Sequence, residues 1–118
     1  MKFLASIIIL ITVLEGNCKK SNDLPEDYPQ CITKKINELK KIPVQNPPAS
    51  IWEFEYQGKK VYYIPADCCD RFNPLYDKKC NIICHPDGGI TGKGDSKCLD
   101  FSRKNEKLIW KDDRKHEN

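Results

Sequence analysis

Trp52-Glu53-Phe54-Glu55-Tyr56-Gln57-Gly58-Lys59-Lys60-Val61-Tyr62-Tyr63-Ile64 is the stretch that decides the fold. Aromatic and acidic residues alternate from Trp52 to Tyr56, and Val61 and Tyr63 resume the apolar positions beyond a glycine. Strict alternation marks a half-buried strand, because successive side chains leave opposite faces. Gly58-Lys59 as a two-residue loop suits a type II′ hairpin. That register sets Tyr56 opposite Val61, Phe54 opposite Tyr63, Glu55 opposite Tyr62 and Glu53 opposite Ile64. One face is then continuously aromatic and needs a cover.

Upstream, Ile32, Ile36 and Leu39 recur at i, i+4 and i+7, with lysines and Glu38 off that stripe, which predicts a helix over residues 29–42. Pro29 suits a first turn, Lys40 and Lys41 favour the carbonyl end, and Pro43 stops the helix. The helix stripe and the aromatic face are expected to pack on each other, with Cys31 pinning the helix. Downstream, Leu75-Tyr76 and Ile82-Ile83 flank a turn over residues 77–81 and predict a second hairpin. A glycine-rich loop follows over residues 86–96 and is closed by Cys98. The last stretch is charged except for Leu108-Ile109-Trp110, which fits a short edge strand; the chain from Lys111 on is expected to fray. The fold class expected is α+β: one N-terminal helix on a small antiparallel sheet of two hairpins, stabilised by disulfides.

The first residues set the compartment. Met1-Lys2 and the apolar run over residues 3–14 read as a secretory signal, too short for the roughly 20 residues that span a bilayer. Cys18 follows the run and is the expected lipid attachment site, although Glu15 and Asn17 depart from the usual lipobox. The alternative is ordinary cleavage after Gly16 and free secretion. The chain then divides into a signal peptide (1–17), a flexible polar tether (18–28), a cysteine-rich α+β domain (29–101) and a charged C-terminal tail (102–118). The formal charge of +3 spreads lysines among acids, and nucleic acid is not an expected partner.

Beyond Cys18 lie Cys31, Cys68, Cys69, Cys80, Cys84 and Cys98, an even number that suggests disulfides in an exported protein. Spacing does not choose their pairing. Adjacent cysteines seldom bond to each other, so Cys68 and Cys69 are expected to reach different partners and tie two segments together. Zinc lacks paired C-x₂-C knuckles, and calcium at Asp87, Asp95 and Asp100 lacks EF-hand spacing. Nor is the glycine loop a P-loop, since Asp87 stands where a glycine must cradle phosphate. No metal and no cofactor are expected. His85 and His116 read as solvated residues, and no nucleophile motif accompanies them. The possible binding loop is Asp87, Gly88, Gly89, Thr91, Gly92, Lys93, Gly94 and Asp95.

Several blocks together resemble a known pattern. They are Cys31-Ile32, Pro43-Val44-Gln45-Asn46-Pro47-Pro48, Val61-Tyr62-Tyr63-Ile64, Cys68-Cys69-Asp70, Leu75-Tyr76-Asp77, Cys84-x-Pro86-Asp87-Gly88-Gly89 and Thr91-Gly92-Lys93-Gly94-Asp95-x-Lys97-Cys98-x-Asp100-Phe101. Residues 31–101 resemble an uncharacterised domain family of short Bacteroidota lipoproteins. The resemblance implies an envelope location and a compact domain, and no activity. It also implies a turn glycine where this chain has Cys80 and another where it has Ser96. A looser similarity, to Kazal-type inhibitors, rests on a cysteine ahead of an Asp-Gly turn.

The expected function is that of a monomeric, non-enzymatic binding or structural module. It is held to the cell envelope, in the outer membrane or facing the periplasm, by a palmitate-type lipid, with a protein or small molecule as ligand. The alternatives are a secreted or periplasmic enzyme or thiol-redox protein, and a small protease inhibitor.

Overall fold

The computed structural model describes Gly16 and residues 27–115. The stretch read as a signal peptide apart from Gly16, Cys18, most of the stretch read as a tether, and His116 lie outside the described residues. Strands β1 (Ser50–Tyr56), β2 (Lys59–Tyr63), β3 (Phe72–Tyr76), β4 (Ile82–Gly88) and β5 (Lys107–Lys111) form one antiparallel sheet in the order β4-β3-β2-β1-β5. The one helix among the described residues, α1, covers Gln30–Lys40.

This overturns the expected α+β plan of a helix on two hairpins. The described chain is mostly β, with one 11-residue helix beside a five-stranded sheet. Two pairings account for the difference. Tyr62 and Tyr63 on β2 face Tyr76 and Leu75 on β3, which fuses the hairpins into one sheet. On the other edge β5 pairs with β1, setting Trp110 opposite Ile51 and Leu108 opposite Trp52.

The first hairpin keeps the predicted faces with a different register. Tyr56 faces Lys59, Phe54 faces Val61 and Trp52 faces Tyr63. The turn is therefore Gln57-Gly58, with φ of +52° and +75°. Two positive φ values define a type I′ turn, whose twist matches that of the flanking strands. The shift from the expected register is even, so each side chain stays on its own face.

What covers each face also differs from expectation. The stripe of α1 packs on the face opposite the aromatic one: Ile32 and Ile36 are buried with Ala49, Ile51, Tyr62 and Trp110. The aromatic face is closed by the chain's own later segment, where Phe54, Val61, Tyr63 and Leu75 are buried with Cys84 and Cys98, and Phe101 packs against them. The Phe101 ring stands edge-on to Phe54 at 5.1 Å and to Tyr56 at 5.6 Å, a favoured aromatic geometry. Ile51, Tyr62 and Trp110 come from three strands, so the second apolar face becomes visible only once the strand order is known.

Three disulfides join Cys31 to Cys80, Cys68 to Cys69, and Cys84 to Cys98. The expectation that Cys68 and Cys69 serve separate partners is thus corrected: they bond to each other. Cys31–Cys80 ties α1 to the β3–β4 turn. Cys80 sits at φ +59° and Ser96 at φ +63°, in the left-handed region that favours glycine. These are the two positions where the family resemblance implies glycine.

Asp112 and Arg114, in the stretch expected to fray, are held. Asp112 is 4 % exposed, and its carboxylate accepts the Arg114 guanidinium at 2.7 Å and 3.0 Å. Arg114 in turn donates to the carbonyls of Leu39, Lys40 and Ile42. Leu39 and Lys40 lie in the last turn of α1, where no further turn follows to supply N–H donors.

Candidate functional site: the glycine-rich loop

The loop grows out of β4 and returns through the Cys84–Cys98 bond, which clamps its two ends over the aromatic face. Backbone bonds fold it back on itself. The Gly94 N–H donates to the Gly88 carbonyl at 3.1 Å, and the Asp95 N–H donates to the His85 carbonyl at 2.9 Å. The Gly89 N–H crosses to the Arg71 carbonyl at 3.0 Å and fastens the loop to the segment before β3. Gly94 is required sterically: a Cβ there would overlap the His85 carbonyl oxygen and lie 2.7 Å from the Asp87 nitrogen.

The two carboxylates of the loop turn inward. Asp87 accepts the Tyr63 hydroxyl and the Asn73 amide, each at 2.8 Å, while the Asn73 carbonyl oxygen accepts the Ala66 N–H. Burial and the hydrogen bond to Asp87 push the Tyr63 phenol well above its ordinary value. Asp95 Oδ2 accepts the His85 backbone N–H at 3.0 Å and lies 2.9 Å from His85 Nδ1, while its Oδ1 accepts the Lys97 N–H. Burial pushes the Asp95 carboxyl up, but the bonds from the His85 ring, Lys97 and the His85 backbone outweigh it and hold the carboxyl below its ordinary value. At the end of the segment the Tyr56 hydroxyl donates to Asp100 at 2.6 Å, which lowers the Asp100 carboxyl.

Of the predicted loop residues, Asp87 and Asp95 are thus struts of the loop's own architecture. Thr91, Gly92 and Lys93 are exposed at its tip, and Gly88, Gly89 and Gly94 are partly covered around the turn. The most exposed of the large apolar side chains among the described residues lie in or just past the loop: Ile90 is 91 % exposed and Leu99 83 %. His85 is a β4 residue with its ring 27 % exposed and 5.5 Å from the Phe72 ring, not the solvated loop residue expected. Its pairing with Asp95 matches no motif and becomes visible only through the fold-back. Sequence reasoning also missed Arg103, whose guanidinium lies 4.8 Å from the Tyr63 ring centre while also bonding Glu106.

Among the described residues no group of three or more His, Cys, Asp or Glu side chains is placed to hold a metal ion. Nor is any helix among them long and apolar enough to cross a membrane.

The sheet, the helix and the clamped loop define a small, disulfide-braced, mostly-β domain. Residues 37–112 match the model of the family described as "Domain of unknown function (DUF6970)", and the chain belongs to that family. The match opens inside α1 and closes at Asp112, so it takes in the whole sheet with β5. No curated protein and no solved structure matches the chain.

Proposed function

We propose that the chain is an exported binding module, tethered by a lipid on Cys18 to the bacterial cell envelope, of the kind found in short Bacteroidota lipoproteins. It holds the glycine-rich loop out to an envelope partner, protein or small molecule.

The observation that carries the reading is the pairing of all six cysteines among the described residues. Disulfides persist in oxidising compartments and are rare in the cytosol. The leader and Cys18 agree with that compartment. The loop supports the second half of the reading. Its acids and His85 are engaged within the domain, while backbone, Thr91, Lys93 and the apolar Ile90 and Leu99 are offered outward.

Intact mass of the membrane-extracted protein, before and after reduction, tests it. The expected result is a chain that begins at an acylated Cys18 and gains two hydrogens for each of three disulfides. A chain starting elsewhere without acyl mass overturns the anchor. A leader-bearing chain with every thiol reduced overturns export.

A further inference from the structure

We infer that Cys68–Cys69 is a reversible thiol–disulfide exchange site for an external dithiol, set against the base of the glycine-rich loop, and not a brace of the fold. The bond joins neighbours in sequence, whereas the other two span separations of 49 and 14 residues. A cross-link stabilises chiefly by removing loop-closure entropy from the unfolded chain, and that gain grows with the length of chain enclosed. A bond between adjacent residues encloses none, so it adds almost nothing to stability. What it does offer is access.

Cys68 and Cys69 are both exposed, in a turn with exposed Asp67, Asp70 and Arg71. By contrast Cys84 is 2 % exposed, Cys98 is 5 % exposed, and Cys31 and Cys80 are partly covered. Exchange needs a thiolate to reach a disulfide sulfur, so accessibility orders the three bonds. An external thiolate attacks one sulfur of the pair and forms a mixed disulfide. The other cysteine leaves as thiolate and takes up a proton. The second thiol of the reductant then attacks the mixed bond and releases the remaining cysteine. The protein has gained two electrons and two protons, and the dithiol departs as a cyclic disulfide.

The position gives the exchange a structural reach. The turn is bracketed by the Asp67–Arg71 ion pair at 3.2 Å, and the Arg71 carbonyl accepts the Gly89 N–H that fastens the loop. Cys69 sits at φ +58°, a conformation non-glycine residues adopt at a cost. Opening the bond releases that residue and loosens Arg71, so Gly89 loses its anchor while Asp95, bonded to His85, keeps its own.

The test treats the mature, fully oxidised chain with graded dithiothreitol, quenches in acid, alkylates and maps the label by peptide mass. Cys68 and Cys69 are expected to label together at a dithiol concentration at least about tenfold below that needed for Cys84 and Cys98, with near-ultraviolet dichroism unchanged. Amide exchange at Gly89 is expected to quicken about tenfold in the selectively reduced protein while Asp95 stays unchanged. Labelling of Cys84–Cys98 or Cys31–Cys80 first, or all at once, overturns the inference. A Cys68→Ser/Cys69→Ser variant provides a second reading: its urea midpoint is expected to equal that of the parent. A drop as large as that of a Cys84→Ser/Cys98→Ser variant would show the bond to be a brace.

Discussion

The two faces of the sheet are closed by different means. On one, α1 lays an aliphatic stripe, Ile32 and Ile36, onto Ile51, Tyr62 and Trp110, and Cys31–Cys80 fixes it in place. On the other, an irregular segment covers Phe54, Val61, Tyr63 and Leu75 with its disulfide, Phe101 and a set of partly buried hydrogen bonds. A helix satisfies its own backbone and needs only one apolar stripe. A loop does not, and it must find a partner for each buried N–H and C=O. That is why the loop side carries the glycines, the inward carboxylates and the His85–Asp95 pair.

The comparison breaks most sharply at Gly94. Gly94 and Gly92 have nearly the same backbone, φ +70° and +73°, but nothing lies within 4 Å of a Cβ at Gly92. Gly94→Ala forces the loop off His85 and is expected to cost about 4 kcal/mol, against about 1 kcal/mol for Gly92→Ala, which pays only for left-handed backbone. Urea unfolding of the two variants compares them directly.

The next largest effect comes from the bridges. Loss of Cys31–Cys80, with its longer enclosed chain, is expected to cost about 4 kcal/mol and loss of Cys84–Cys98 about 3 kcal/mol on the loop-entropy account. Replacing Cys80 by glycine, with Cys31→Ser, should recover part of the first cost, because φ +59° suits glycine. Thermal melts of the two double variants check the order.

A smaller effect separates the faces by pH. The Arg114 guanidinium, outweighing burial, holds the Asp112 carboxyl below its ordinary value. Its contribution is therefore complete above the ordinary carboxylate range near pH 4 and is lost as pH falls through the lowered folded value. Asp112→Asn should remove about 1–3 kcal/mol and flatten that acid limb. Helical dichroism followed from pH 5 downward, roughly the range in which a carboxylate titrates, reads it out.

The smallest effect lies on the loop side at the alkaline end. With its phenol raised, Tyr63 contributes stability that is complete below about pH 10 and fades as pH climbs through the folded value. Tyr63→Phe leaves Asp87 with the Asn73 amide and should cost about 1 kcal/mol. Tyr56 and Tyr62 are also raised, so ultraviolet titration of the parent should show several late phenols with Tyr63 the last, and Tyr63→Phe should remove that last component.

Much of this was legible in the chain. Alternation in Trp52–Tyr56 and the i, i+4, i+7 spacing of Ile32, Ile36 and Leu39 announce a hairpin and a helix whatever surrounds them. What packs on what was not legible, because Ile51, Tyr62 and Trp110 carry no shared local pattern and meet only across strands. The turn was misplaced because Gln57 lacks the Asn or Asp that usually marks the first left-handed position of a type I′ turn. At the candidate site the glycines and cysteines pointed to a clamped loop. The inward aim of Asp87 and Asp95 depended on Tyr63, Asn73 and His85, whose approach follows from the sheet order. Arg114 gave no signal, since three of its contacts are to backbone carbonyls distant in sequence.

Native-state amide exchange on the loop tests the central claim, that this segment is a built cover of the sheet and not a mobile appendage. The Gly89, Gly94 and Asp95 N–H groups, bonded to Arg71, Gly88 and His85, should exchange as slowly as N–H groups in the paired strands β1 and β2. Exchange at the rate of an unprotected peptide at all three, while the strands stay protected, would contradict it.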